Sequence, residues 1–415
     1  MKKNNIIHIV FMALSALMLT SCLKDQEELF EDSASARVTK YLGNAKEVLT
    51  SAENGWVLNY YPDRELSYGG TPFVLKFNDE TVAVSSSLVH NPTETVESGY
   101  ILNNEDGPVL SFDTYNELMH YFSTPSGSSG PGGYEAYDGD FIFIIMGISD
   151  DNNVITLKGN RTGNIMYMHR LKESGEKYLS KVLEVDENMP DNYSFTSNGE
   201  TVSVTLSSGI ATFKSNHVDE NVAYILTDKG VEFHDPVDIN GVVLNGIKNS
   251  GDAKTTQSIG DKPVTLNVVY FPLNEIFINN NNWYLSYDNQ SEYVRPYFDA
   301  AIAGSASEGE EISLMEFTEV NGFSLFFISG VYAGALAFDV EFIGKDKVKL
   351  TYNGANNYLN GDWYYMYEGY DQLVELLERT FTLVSNKKTK PTVIKLVDDS
   401  DENNVIVVTA SPAAF

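Results

Sequence analysis

The sequence predicts a mainly β protein whose antiparallel sheets form two related halves, each with about one packing helix. Three observations predict this class: apolar and polar residues alternate between turn residues, one amphipathic stretch stands near the start, and two similar segments recur. An export signal and a lipid tether precede the predicted fold. Sandwich and barrel both stay open, because the number of strands in each sheet cannot be read from this pattern.

The chain begins with the pattern of an exported lipoprotein. A positively charged start and an apolar run lead into Leu-Thr-Ser-Cys at 19–22, which contains the only cysteine. This order is that of a bacterial lipobox, and we predict that 1–21 are a signal peptide and that Cys22 is lipidated. A plain cleaved signal and a transmembrane anchor are the alternatives, but the run is shorter than the roughly 20 residues that span a bilayer.

The charge of the chain excludes one class of partner. The formal net charge is −30, and removal of the signal peptide takes away two lysines and no acids, which leaves −32. Affinity for nucleic acid comes largely from neutralising phosphates with Lys and Arg, so we predict no nucleic-acid partner. With its only cysteine acylated, the mature chain has no disulfide, and its stability must come from core burial.

The predicted elements begin with an amphipathic helix over 33–55, which Ser33 or Ser35 can cap and Asn54-Gly55 can end. Beyond Trp56, alternating β-branched and aromatic residues with turn pairs predict antiparallel hairpins. Three such hairpins are predicted over 71–87, 100–112 and 193–208.

Two segments, 140–183 and 336–379, look alike and predict an internal repeat. Each is expected to contain three strands followed by a helix, the third strand of the second segment being the aromatic run 363–367. The predicted domain order is a signal peptide at 1–21, an acidic tether at 22–32, a helix with the first β-rich half at 33–188, and a second half at 189–415 with an inserted segment at about 247–332.

Three stretches carry a resemblance to a known family: SAENGW at 51–56, VLNYYP at 57–62 and GPVLSFDTYNELMHYFS at 107–123. They resemble the Bacteroidota lipoproteins grouped as domain of unknown function 4302. The resemblance implies an outer-membrane protein that faces the cell surface or the periplasm and accompanies nutrient-uptake systems. The tether KDQEE at 24–28 is similar to the signal that sends such lipoproteins to the outer face. The family has no assigned catalytic residues to carry over.

Motifs for metal or catalytic chemistry are missing from the sequence. The five histidines beyond the signal never pair at the spacing of a zinc helix, and no nucleophile elbow or phosphate loop occurs. The acidic runs 149–153 and 398–403 lack the spacing of an EF-hand, so we interpret them as solvated turns, with weak calcium binding left open. We predict no cofactor and no metal site, and we expect binding more than catalysis.

Aromatic residues are the surplus that points to a binding site. The candidates are Trp283, Tyr284 and Tyr287 in the inserted segment and Trp363 and Tyr365 in the last repeat. Aromatic faces beside polar groups can grip a flat ligand. The polar partners would be Asn279 to Asn282 and Asp362. The alternative is that these rings fill the core and pair across strands.

The sequence therefore predicts a surface-exposed, non-catalytic outer-membrane lipoprotein that binds a glycan, a peptide or a neighbouring component in nutrient acquisition. The first alternative is a structural partner of an outer-membrane uptake complex, which predicts a broad exposed apolar patch. The second is a hydrolase with an unrecognised carboxylate pair, which predicts a cleft with shifted pKa values.

Overall fold

The computed structural model describes residues 33–104, 107–127, 133–251, 253–279, 282–355, 359–412 and 415. These residues fall into two units. The first contains the described residues up to Leu58, Phe73–Ser85 and Thr95–Gly175, and the second contains Asn59–Pro72, Ser86–Glu94 and the chain from Glu176 onward. The residues of the predicted signal peptide and tether, including Cys22, lie outside the described part. Among the described helices, none has the length and apolar character to cross a bilayer.

The first unit opens with helix α1, Ala34–Thr50. Ser33 caps it, since its Oγ accepts a hydrogen bond of 3.2 Å from the backbone N–H of Ala36. The helix ends five residues before the predicted limit, and a turn leads to Gly55, whose φ of 82° favours glycine. A Cβ at Gly55 would also lie 2.8 Å from the carbonyl oxygen of Leu75, so glycine is required there on two grounds.

A nine-stranded sheet follows α1 in the first unit, in the order β4-β3-β2-β1-β9-β8-β7-β6-β5. Its strands are β1 (Trp56–Tyr60), β2 (Thr71–Phe77), β3 (Thr81–Ser86), β4 (Val96–Gly99), β5 (Ile101–Asn103), β6 (Val109–Ser111), β7 (Ile142–Ile148), β8 (Val154–Gly159) and β9 (Ile165–Arg170). Alternate residues are buried along β3 and β8, as expected for a sheet with one face on a core.

Trp56 joins the end of α1 to this sheet. Its indole Nε1–H donates a hydrogen bond of 3.0 Å to the carbonyl of Leu49, and the ring is fully buried. The guanidinium of Arg170 lies 4.6 Å from the ring centroid and donates to Ser51 Oγ at 2.9 Å. The motif SAENGW at 51–56 is therefore a structural junction in the first unit.

The second unit contains helix α2 (Gly175–Asn188) and a closed antiparallel barrel. The barrel strands are β10 (Asn192–Ser197), β11 (Glu200–Ser207), β12 (Ile210–Lys214), β13 (Asp219–Thr227), β14 (Gly230–Ile239), β15 (Val242–Lys248), β16 (Thr255–Ile259) and β17 (Thr265–Val268). Asn198 and Gly199, with φ of 51° and 79°, form the β10–β11 turn, as the Asn-Gly pair predicts. Val204, Phe213 and Leu244 are among the residues that fill the core.

The segment 59–72 packs on this barrel within the second unit. The N–H of Gly70 donates a hydrogen bond of 2.9 Å to the carbonyl of Tyr224, and Gly70 forms a parallel β-bridge with Ile225. At Gly209, an added Cβ would lie 2.6 Å from the carbonyl oxygen of Tyr68 and 2.7 Å from the Cα of Gly69. Two glycines therefore allow the backbones to meet.

A second closed barrel completes the unit. Its strands are β18 (Trp283–Tyr284), β19 (Ile312–Glu319), β20 (Phe323–Ser329), β21 (Tyr332–Ile343), β22 (Lys347–Ala355), β23 (Thr380–Ser385), β24 (Val393–Asp398) and β25 (Val405–Thr409). The helices are α3 (Leu273–Asn279), α4 (Arg295–Ser307), α5 (Gly361–Tyr367) and α6 (Tyr370–Leu377). The core contains Trp283, Phe327, Tyr364 and Tyr370 together with side chains from most strands.

The predicted mainly β, antiparallel class is confirmed, and barrels are present. The predicted strand at 363–367 is wrong, because these residues belong to α5. Tyr364 in α5 and Glu368 directly after it are buried, four residues apart as in a helix. The segments 140–183 and 336–379 consequently do not share one order of elements, and the described residues form three sheets where the sequence predicts two related halves. The segment 247–332 contributes strands to both barrels.

Candidate functional site

A cleft of about 420 Å³ beside the second barrel is the candidate site. Its size is within the range of small-ligand pockets. Aromatic, amide and carboxylate side chains line it: Glu308, Glu310, Tyr332, Asn360, Trp363, Tyr364 and Glu368. Trp363 and Tyr332 are 50% and 52% exposed, so both residues can contact a ligand.

Close packing of α4 against the end of α5 builds one wall of the cleft. A Cβ at Gly304 of α4 would lie 2.1 Å from the carbonyl oxygen of Glu368. Gly369, at a φ of 75°, likewise leaves no room for a Cβ, which would lie 2.8 Å from the carbonyl oxygen of Ala300. These two glycines let α4 and the residues after α5 approach closely enough to bury the Glu368 side chain.

Glu368 is only 2% exposed, and both of its carboxylate oxygens accept hydrogen bonds. Trp363 Nε1–H donates to Oε1 at 2.8 Å, and Ser305 Oγ donates to Oε2 at 3.2 Å. Burial raises the pKa of Glu368, and the nearby charges of Glu310 and Glu308 raise this pKa further. The buried carboxylate therefore fixes the orientation of the exposed indole.

Glu310, which also lines the cleft, is held by a hydrogen bond from a buried tyrosine. The hydroxyl of Tyr364 donates to Glu310 Oε2 at 2.6 Å. Tyr364 is 2% exposed and packs edge-on against Phe327, with ring centroids 5.0 Å apart. Burial, followed by the hydrogen bond to Glu310, raises the pKa of Tyr364, so this phenol stays a donor.

The described residues include no cation that neutralises these acids. No Lys, Arg or His of the described part forms an ion pair with Glu308, Glu310 or Glu368. Within the same residues, no three His, Cys, Asp or Glu side chains are grouped closely enough to hold a metal ion.

The predicted site residues separate into exposed and buried sets. Trp363 lines the cleft, whereas Trp283 is fully buried in the core and has no face free for a ligand. Tyr365 is partly buried and stacks on Tyr352 with centroids 5.0 Å apart. The alternative interpretation as a core ring therefore holds for Trp283.

Tyr284 and Tyr287 lie outside the residues that line this cleft. Tyr284 is half-buried in β18, and Tyr287 donates its hydroxyl to Asp299 Oδ1 at 2.8 Å. Of the predicted polar partners, Asn282 accepts from Thr318 Oγ1 at 2.7 Å and donates to Glu316 at 3.2 Å, and Asn280 and Asn281 are not among the described residues.

The sequence reasoning missed Glu308, Glu310, Tyr332 and Glu368. The sequence contains 58 Asp and Glu residues, and the spacing of the three glutamates does not distinguish them from the other acidic residues. The acidic runs 149–153 and 398–403 do form turns, between β7 and β8 and between β24 and β25. In the first turn, Asp151 Oδ1 accepts a hydrogen bond of 2.6 Å from Ser149 Oγ, so this carboxylate stabilises the turn.

A second cleft, of about 440 Å³, lies on the first barrel. No aromatic side chain lines it, and its walls carry Glu65, Glu220, Asp235 and Asp238 beside aliphatic residues. The cleft of the second barrel is the stronger candidate because it combines exposed rings with polar groups that are already held in place.

Comparison with solved structures aligns the chain with DNA sliding clamps. The Helicobacter pylori beta clamp bound to a DNA ligase peptide aligns at 9% identity, covering 90% of this chain and 98% of the clamp, with a TM-score of 0.11. The DNA polymerase sliding clamp from Pseudomonas aeruginosa aligns at 10% identity over 91% and 98%, with a TM-score of 0.12. Scores this low support neither a shared fold nor a shared function.

Comparison at the sequence level identifies a family. No curated protein matches the chain. The family model described as domain of unknown function (DUF4302) matches residues 26–250, more than half of the chain. This match includes the SAENGW junction and the first barrel up to β15, while the cleft of the second barrel lies beyond it. The chain therefore belongs to the family of the domain of unknown function DUF4302.

Proposed function

We propose that this chain is a surface-exposed, non-catalytic lipoprotein of the outer membrane that binds a glycan in nutrient acquisition. The observation that carries the binding role is the half-exposed Trp363 ring, held by Glu368 beside Tyr332 in the cleft of the second barrel. The lipobox at 19–22 and the acidic tether support the proposed localisation at the surface of the outer membrane. The alternative localisation is the periplasmic face of the same membrane.

A glycan fits this cleft better than an extended peptide. Peptides commonly bind by adding a strand to an open sheet edge. The described strands of the second barrel form a closed ring, which a strand added by a peptide would have to open. Flat aromatic faces and fixed carboxylate acceptors suit the apolar faces and hydroxyl groups of a sugar ring.

The test is a glycan array probed with the full chain, followed by calorimetry on any sugar that binds. Trp363→Ala should weaken binding by about tenfold or more, since a central aromatic contact is commonly worth over 1.4 kcal/mol. Tyr134→Ala is the matched control, because Tyr134 is 77% exposed and does not line the cleft. Equal loss in both variants, or no bound sugar, contradicts the proposal.

A structural role in an outer-membrane uptake complex is the second candidate. Exposed apolar side chains on the nine-stranded sheet favour it: Met146 of β7 and Ile165 and Tyr167 of β9 are 55%, 36% and 46% exposed. Tyr167→Asp should reduce recovery of an outer-membrane partner after cross-linking, while Trp363→Ala should leave it unchanged. The reverse result would favour the cleft as the contact site.

The hydrolase alternative draws on the raised pKa of Glu368 near Glu310 and Glu308. A general acid must reach the leaving group. Both oxygens of Glu368 already accept hydrogen bonds from protein donors, which suits positioning of Trp363 better than proton donation. Release of reducing sugar by the parent protein, lost in Glu368→Gln, would establish catalysis and replace the binding proposal.

A further inference from the structure

The charge in the cleft narrows the class of ligand. Three carboxylates line a cleft that also exposes Trp363 and Tyr332, and none of the three has an ion-pair partner among the described residues. We propose that the bound sugar carries a protonated amino group, so that the ligand is a glycan of amino sugars with free amines. This inference rests on the proposed glycan binding.

Charge complementarity supports an ammonium group in particular. Glu310 is held by the hydroxyl of Tyr364, so its carboxylate need not be ordered when a cation binds, while the buried Glu368 orients the indole of Trp363. Trp363 is half-exposed and its ring packs against that of Tyr367 with centroids 4.7 Å apart. An indole attracts a cation more strongly than the other aromatic side chains do. An amino sugar satisfies both features at once, with an apolar ring face for Trp363 and an ammonium for the acids.

A metal ion fits the same acids poorly. Calcium takes six to eight oxygen ligands, including several carboxylates. In the described part of the chain no three acidic or histidine side chains are grouped closely enough to hold a metal ion. An ammonium needs only hydrogen-bond acceptors at its three N–H groups.

The experiment compares three tetrasaccharides of one linkage by calorimetry with the full chain: β-1,4-linked glucosamine, its N-acetylated form and the glucose form. The glucosamine tetramer should bind at least about tenfold more tightly than the other two, a difference of roughly 1.4 kcal/mol. Glu310→Gln should reduce this preference by about fivefold, because it removes one charge while its amide oxygen can still accept from Tyr364. Glu375→Gln, an exposed residue of α6, is the matched control and should keep the preference.

The outcomes separate this inference from the proposed function. Equal binding of all three sugars overturns the amine requirement and leaves glycan binding standing. No binding of any sugar overturns both. Binding of tetralysine as tightly as the glucosamine tetramer also overturns the inference, since the cleft would then select charge without a sugar ring. Loss of preference in Glu310→Gln and in Glu375→Gln alike would show that overall charge, and not the cleft, attracts the amine.

Discussion

Trp363 donates its indole Nε1–H to Oε1 of Glu368 across 2.8 Å, so that a buried acid positions a half-exposed ring. The second oxygen of Glu368 accepts from Ser305 on α4, and the hydroxyls of Ser305 and Tyr370 lie 3.2 Å apart. The orientation of the exposed ring is thus connected to the core of the second barrel. A rigid ring loses little freedom on binding, which is the property that a sugar platform needs.

Glu368→Ala should release this ring and destabilise the protein. Trp363 Nε1 and Ser305 Oγ lose their acceptor, and we expect a loss of about 1–3 kcal/mol. The free energy of unfolding in urea and the tryptophan emission maximum measure the two effects. Trp56 and Trp283 are fully buried, so a red shift would report Trp363. Glu368→Gln keeps an acceptor for the indole, and a loss as large as that of alanine would contradict this role.

Trp283→Ala and Trp363→Ala should differ sharply in stability. Trp283 is fully buried and contacts Phe277, with ring centroids 6.3 Å apart. Its truncation should cost about 3–5 kcal/mol through lost burial and a cavity. Trp363 is 50% exposed, so its truncation should cost less than about 2 kcal/mol. Thermal and urea denaturation compare the two, and similar losses would mean that Trp363 also serves the core.

The hairpins were predictable because their turns carry local signals, such as Asn198-Gly199. The helix α5 was not, because 363–367 consist mainly of Trp and Tyr, which have high strand propensity. Tertiary packing favours the helix at these residues. Tyr364 and Glu368, four residues apart, are both buried, while Trp363 lines the cleft.

The candidate site was predicted in one residue only. Trp363 belongs to an aromatic excess that the composition reveals, whereas Glu310 and Glu368 become neighbours of Tyr332 only when the barrel closes. Their proximity cannot be predicted from their spacing in the sequence, because the residues lie in or beside different strands and helices. Trp283 shares the same composition signal and is buried, so exposure had to come from the structure.

Gly209→Ala should destabilise the second unit more than Gly199→Ala. Both residues have positive φ, 80° and 79°, so both substitutions carry a backbone cost of about 1–2 kcal/mol. Only at Gly209 would the Cβ also meet backbone, at 2.6 Å from the carbonyl oxygen of Tyr68. At Gly199 nothing lies within 4 Å of it. Urea denaturation should show a further loss of about 1–3 kcal/mol at Gly209, and equal losses would contradict this contact.

Cys22→Ala should move the protein from the membrane fraction to the soluble fraction. The lipobox at 19–22 predicts that acyl chains on Cys22 are the anchor, and chains of this kind hold a protein by burial of their methylene groups. Metabolic labelling with a clickable fatty acid should mark the parent and not the variant. Tyr134→Ala, at an exposed position far from the lipobox in the sequence, is the control and should keep both label and membrane fraction. A variant that stays membrane-bound until detergent is added would refute the lipid anchor.

Glu316→Gln should change the pH dependence of stability in a defined direction. Glu316 is 6% exposed, and its Oε1 accepts from Asn282 at 3.2 Å. Its Oε2 has no hydrogen-bond partner among the described residues. Burial raises the pKa of this carboxyl in the folded state, so the folded protein binds more protons than the unfolded chain between the ordinary and the raised value.

The stability that Glu316 contributes is therefore fully present below its ordinary pKa of about 4.3 and is lost as pH rises through the raised value. Glutamine does not titrate, so the stability of Glu316→Gln relative to the parent should improve as pH rises from about 4.3 through the raised pKa of Glu316. A pH-independent loss of stability caused by the amide does not affect this result, because the prediction concerns only how the difference in free energy of unfolding changes with pH. Urea denaturation across this pH range measures the slope, and Glu375→Gln, at an exposed position of α6, supplies the baseline. A constant difference between parent and Glu316→Gln would mean that this buried carboxyl titrates alike in both states.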